Sequence, residues 1–206
     1  MSRLSLDRLT QFSTLSQFFA KPDAQASTSS TNGSSLNPRG AQAQSAWDPV
    51  RKFATGEQTV VNFGGNAWID VWIPDGDYST SHQRFSGGSP LQTIEGGWAV
   101  FPQLFQTTNS VTYIHWSSGT KGCYNLDCVG FVQTSKYWHL GGPYDHYSTS
   151  QLNWGFCVQW KLIGEIWWFF VQGRGDYTPV GYIPAASVFG SGQLSRNATH
   201  LQFGGE

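Results

Sequence analysis

Charge is scarce in this chain. Asp, Glu, Lys and Arg make up 12% of its 206 residues, about half the share usual in soluble proteins. The 12 basic and 13 acidic residues nearly cancel, and no run of Lys or Arg occurs. That excludes the electrostatic footprint of a nucleic-acid binder. No apolar stretch reaches the roughly 20 residues of a membrane-spanning helix, so no membrane partner is expected. The three cysteines and five histidines complete no metal-ligand cluster, and no nucleophile-elbow motif is present. Neither a metal nor a cofactor is called for.

Aromatic residues and glycine are plentiful instead. Trp, Tyr and Phe make up 16% of the chain, alongside 24 glycines. Short aromatic strands joined by Gly-containing turns fit that profile, which points to an all-β domain. The first twenty residues differ. Leu4, Leu9, Phe12, Leu15 and Phe19 recur at three- to five-residue steps, the pattern of an amphipathic helix, and Pro22 follows closely. Arg3, Asp7 and Arg8 interrupt this stretch, so it does not read as a signal peptide. Residues 21–46 are Ser, Thr, Gln, Ala, Asn and Gly with almost no large apolar group, and they read as a flexible linker. The folded domain is expected from Trp47 to Glu206. Asn32-Gly-Ser and Asn197-Ala-Thr match the glycosylation sequon.

Strands follow one another from Gln58 onward. They are expected at Val60–Phe63, Ala67–Ile73, Ile94–Phe101, Val111–Trp116, Val129–Thr134, Asn153–Leu162, Ile166–Gln172, Val180–Ile183 and Thr199–Phe203. Gly164 suits a hairpin turn, and Pro184–Phe189 a single helical turn. Eight or nine such strands make an antiparallel β-sandwich or barrel. Successive strand residues face opposite sides, which sorts the side chains. Trp154, Phe156, Val158 and Trp160 share an apolar face. Glu95 shares one with Gly97 and Ala99, while Ile94, Trp98 and Val100 point the other way. Leu201 and Phe203 lie opposite His200, Gln202, Gly204 and Glu206. Each of these glutamates thus sits on a polar face beside small residues, either lining a site or facing solvent. The inference holds if the Gly pairs at 96–97 and 204–205 make no bulge. Cys123 and Cys128 bracket four residues, a spacing that fits a small oxidised loop and also fits unpaired thiols. The loop is the preferred reading, and it favours an oxidising compartment.

Several motifs resemble the neprosin family of glutamic endopeptidases. They are Ile94-Glu-Gly-Gly-Trp-Ala-Val-Phe-Pro102, Gly122-Cys-Tyr-Asn-Leu-Asp-Cys-Val-Gly-Phe-Val-Gln133, Trp167-Trp168, Val180-Gly-Tyr-Ile-Pro184 and Phe203-Gly-Gly-Glu206. Phe63–Pro74 and Ser81-His-Gln83 also resemble the family's entry strands, so the likeness runs from about residue 60 to the end. The resemblance implies a β-sandwich in which two glutamates face each other across a groove and cut peptide bonds in acid, preferably after proline. It puts the first glutamate on Glu95, the second on Glu206 and the family's disulfide on Cys123 and Cys128. It further implies a secreted protein and a proline-containing peptide or protein substrate. Family chains continue past the second glutamate, so a domain truncated at its C-terminus is expected, with an inactive member as one alternative.

A slot for proline would need aromatic walls, for which Trp98, Tyr113, Trp116 and Trp138 are candidates, and Gln133 is a candidate donor to the developing oxyanion. Glu165 is the competing acid, though its place after Gly164 suits a solvated turn. His115, His139 and His146 have no metal spacing. Two further readings share these features. One is a Trp-rich, lectin-like sandwich that stacks sugars, and the other is a glycoside hydrolase built on paired carboxylates.

Overall fold

A computed structural model of the chain describes residues 52–173 and 175–206. The helix expected over 1–20, the linker over 21–46, the domain start at Trp47 and the Asn32 sequon lie outside the described residues. The rest is an all-β sandwich of two antiparallel sheets. One sheet has six strands in the order β1 (Ala54–Asn62), β11 (Ala198–Gly205), β3 (Ser79–Gly87), β4 (Gln92–Val100), β5 (Val111–Ser118), β6 (Lys121–Tyr124). The other has five, in the order β2 (Gly64–Asp70), β8 (Gly155–Ile163), β9 (Ile166–Gln172), β10 (Thr178–Pro184), β7 (Val132–Gln133). Two short helical turns, α1 (Pro102–Phe105) and α2 (Ala185–Phe189), complete it together with a 3-10 turn at Gln193–Ser195.

Alternation builds the core. Phe85, Ile94, Trp98, Val100, Ile114 and Trp116 from the larger sheet meet Phe156, Val158, Trp160, Trp167, Phe169 and Val171 from the smaller one. Burying each such side chain contributes about 1.5–3 kcal/mol. Two buried polar side chains are tied across the core. Gln83 Nε2 donates to the Val158 carbonyl at 2.6 Å, and Trp98 Nε1 to the Asp70 carbonyl at 2.8 Å. Gly96 belongs to this face for a steric reason, because a Cβ there would lie 2.8 Å from the Phe169 ring and 3.1 Å from Trp160 Nε1.

A second, smaller cluster forms on the far side of the six-stranded sheet. Ala99, Phe101, Leu104, Tyr113 and Tyr124 pack there with Tyr78 and Phe105. Pro102 opens α1 at a position where its missing N–H costs nothing, and the turn lays Leu104 and Phe105 over the sheet. The Cys123–Cys128 disulfide closes the loop after β6. Asn125 anchors that loop, its side-chain oxygen accepting the Ile114 N–H at 2.9 Å.

Three strand expectations change. Periodicity marks neither β3 nor β6, because Ser-Thr-Ser-His-Gln-Arg and Lys-Gly-Cys-Tyr lack apolar alternation, and only the resemblance at Ser81-His-Gln83 pointed to a strand at β3. The strand expected over Val129–Thr134 shrinks to Val132–Gln133. Gly130 takes a φ of +153°, and a Cβ on it would stand 2.6 Å from Trp116 Nε1, so the chain crosses that indole before it can pair.

Gly97 is the tightest point of the larger sheet. A Cβ there would sit 1.9 Å from the Ser81 carbonyl oxygen, whereas one at Gly56 would meet nothing within 4 Å. We expect Gly97→Ala to lower the unfolding free energy by about 3 kcal/mol or more, and Gly56→Ala to leave it nearly unchanged. Urea midpoints of the two variants test this, and equal midpoints would refute the close approach.

Candidate active site

The site follows from β3, which lies between β11 and β4. Its pairing with β4 runs without a shift from Ser79↔Val100 to Gly87↔Gln92. Its pairing with β11 runs from His200↔Ser86 to Gly205↔Ser81 and continues to residue 206. There Thr80 N–H donates to the Glu206 carbonyl at 3.0 Å, and Glu206 N–H to the Thr80 carbonyl at 3.1 Å. No bulge intervenes at either glycine pair, so parity is preserved.

Three lateral rows therefore share the outer face. The first is Gln202, Arg84, Glu95, His115 and Tyr124 across five strands. The second is Gly204, His82, Gly97 and Tyr113. The third is Glu206, Thr80 and Ala99. Both glutamates thus lie on one face, on the two strands that flank β3. In a flat sheet their Cα atoms would stand about 16 Å apart, two strand spacings across and four residues along. The glycines are where such a sheet can bend.

The phenols beside Glu95 are held protonated, chiefly by burial. Burial holds the Tyr113 phenol well above its ordinary value of 10.0, and the charges of Glu95 and Glu206 push it further in the same direction. Burial likewise raises Tyr78, with Tyr124, Tyr113, Glu206 and Glu95 adding to the shift. Both carboxylates therefore act on the same two phenols. Tyr113 O–H donates to Glu95 Oε1 at 3.0 Å, and Arg84 Nε lies 3.9 Å from Glu95 Oε2. Thr80 Oγ1 and His82 Nδ1 are 3.1 Å apart, and His115 packs on Tyr124 with ring centroids 4.4 Å apart.

Access is one-sided. Glu95 has no exposed surface, and the aromatic cluster covers the β5–β6 side. Arg84, Gln202, Gly204 and Glu206 remain partly exposed, so a ligand would approach over β3 and β11.

Of the residues read from the sequence, Glu95, Glu206 and Tyr113 share the outer face of the larger sheet. Trp98 and Trp116 have the opposite parity and lie in the inter-sheet core, and Trp138 packs against Phe156 at 5.6 Å. Gln133 sits on β7 in the other sheet, where its amide donates to the Ser135 carbonyl and accepts from Leu140 N–H. Those four are not brought to the glutamates. Glu165 is exposed in the β8–β9 turn, and His139 and His146 are exposed in loops. Tyr78, His82, Arg84 and Tyr124 were missed as site residues. Tyr124 and His82 lie inside quoted motifs. Tyr78 and Arg84 lie outside them, where no apolar alternation marks a strand.

Comparison with protein-family models matches residues 75–206 to the one described as Neprosin, well over half of the chain.

The raised phenols set a pH response. Unfolded tyrosines ionise near pH 10, while Tyr78, Tyr113 and Tyr144 in the fold stay protonated beyond it, chiefly because of burial. Their contribution to stability is complete below pH 10 and falls as pH rises above it, where the unfolded chain alone releases those protons. Phenolate absorbance should show three of the 8 tyrosines ionising together with unfolding. Smooth titration of all of them in a folded protein would contradict it.

Proposed function

The chain belongs to the neprosin family, and from that premise we propose that it is a glutamic endopeptidase acting in acid, with Glu95 and Glu206 as its catalytic pair. One observation carries the reading. Both carboxylates lie on one sheet face, on the two strands that flank β3.

Two acids placed in one low-dielectric site cannot both ionise cheaply, so they titrate as a pair and share a proton over a range of acidic pH. The charged member takes a proton from water as the water oxygen bonds to the peptide carbonyl carbon. The protonated member delivers its proton to the carbonyl oxygen. When the tetrahedral species collapses, the C–N bond breaks, the leaving nitrogen receives a proton from the carboxyl that gained one, and one hydroxyl of the diol returns its proton to the other carboxylate. The products are a free acid and an amine, and the pair is left with the single proton it started with. Proton transfer of this kind is worth about 10²–10⁴ in rate, and positioning of the peptide supplies the rest.

Tyr113 holds one oxygen of Glu95 in place, and its raised pKa keeps it a donor throughout the acid range. Proline as the residue preceding the cut is carried by family membership alone, because the aromatic cluster beside the site is packed on itself and largely buried. The disulfide, stable where thiols are oxidised, suits a secreted protein.

The reading is tested by hydrolysis of a proline-containing reporter peptide from pH 3 to pH 7. We expect cleavage that fades toward neutrality as both acids ionise, falling at least about a hundredfold in Glu95→Gln and in Glu206→Gln. Full activity in either variant, or no cleavage by the folded protein, would overturn the proposal.

A further inference from the structure

A third titratable side chain lies between the two glutamates. His82 occupies the middle row, directly opposite Gly97 on β4 and Gly204 on β11, and is 2% exposed. Glu95 lies two residues before Gly97, and Glu206 two residues after Gly204. Both are therefore diagonal neighbours of His82 on the same face, at a spacing of about 7–8 Å that long and aromatic side chains can bridge. Glycine stands at both directly opposite positions, so no neighbouring side chain in that row separates the imidazole from either carboxylate. Thr80 Oγ1, 3.1 Å from His82 Nδ1, orients the ring, and the same Thr80 pairs through its backbone with Glu206.

On the reading of Glu95 and Glu206 as the catalytic pair, we propose that His82 is a positioning residue whose imidazolium sets the charge state the two glutamates share. The groups that face it come from every adjoining element. They are Arg84 on its own strand, Glu95 on β4, Glu206 on β11, Tyr113 and His115 on β5, Tyr124 on β6, and Tyr78 just before β3. Arg84 is a permanent cation, but it stands opposite Glu95 in the first row. His115 is also opposite Glu95 and packed on Tyr124. His82 is the group placed equally with respect to both acids.

A cation beside a carboxyl favours the ionised form. Protonated His82 therefore allows one glutamate to lose its proton at lower pH than burial alone would permit, while the second stays protonated because two anions would face each other. Burial disfavours the charged imidazole while facing carboxylates favour it, so the two glutamates must outweigh burial in the acid range where the pair works. The effect is reciprocal. Each glutamate that is charged also favours the proton on His82.

Two measurements test this. The first is the pH–rate profile of His82→Gln, which keeps a polar side chain of similar reach but cannot take the charge. Both limbs are expected to move up by about one pH unit, with kcat at the wild-type optimum falling and KM little changed. The second is the NMR titration of His82 in the full chain, which does not depend on that variant folding. Its midpoint is expected to drop in both Glu95→Gln and Glu206→Gln. An unmoved profile in folded His82→Gln, or a His82 midpoint unchanged in both glutamate variants, overturns the inference. These outcomes are separable from failure of the parent reading. Activity retained in Glu95→Gln removes the catalytic pair itself, whereas activity lost there with no shift on the histidine removes only the role of His82.

Discussion

Everything at the site depends on the register of β3. Its outer face carries Thr80, His82 and Arg84, its inner face Gln83 and Phe85, and neither set could exchange places without cost. A slip of one residue against β11 would turn Glu206 toward the core and Phe203 toward the outer face, because strand side chains alternate with a period of two. The inner face prevents it. Phe85 packs against Trp167 and Phe203, and Gln83 spans the sandwich to a carbonyl of β8. The apolar core thus fixes a polar strand, and the polar strand fixes the distance between the glutamates.

The outer face is unusual in being largely closed. A cluster of tyrosines and phenylalanines covers Glu95, so its carboxyl acts where charges are weakly screened and each hydrogen bond counts for more than in water. The same surroundings would penalise an unpaired charge. Tyr113 and Arg84 are what the structure sets against that penalty. Closing the β5–β6 side while leaving β11 half-open gives the acids a dry wall and a wet approach.

Much of this was legible in the sequence. The alternation around Glu95 and Glu206 needs only a strand and the absence of a bulge, and both conditions hold. The apolar face of β8 and the turn at Gly164 were equally plain. β3 was not legible from periodicity, because Ser79, Ser81 and Gln83 on its inner face are as polar as Thr80, His82 and Arg84 on its outer one. The resemblance at Ser81-His-Gln83 hinted at a strand, but without its pairing partners His82 and Arg84 had no place. The aromatic candidates failed for a different reason. Trp98 was already assigned by parity to the face opposite Glu95, so offering it as a wall of the same site ran against the alternation. Trp116 and Gln133 depended on which sheet and which face each strand would join, and single-sequence periodicity carries no such information.

The glycine pairs show why the two acids occur in the mirrored strings Glu-Gly-Gly and Gly-Gly-Glu. On β4 the pair splits its duties. Gly96 makes room on the inner face for Phe169 and Trp160, while Gly97 allows β4 to lie against the Ser81 carbonyl. On β11, Gly204 adopts a φ of +152° with its Cα against the Ala54 carbonyl, and Gly205 approaches that of Thr80. Gly97 and Gly205 therefore approach Thr80 to His82 of β3 from opposite sides, while Gly204 lies against β1. A side chain at Gly97 or Gly204 would also fill the middle row of the outer face, where His82 stands alone between the acids. Close strand approach and an uncluttered row between the carboxylates are thus met by the same residues, and a sheet that lacked these glycines would lose both.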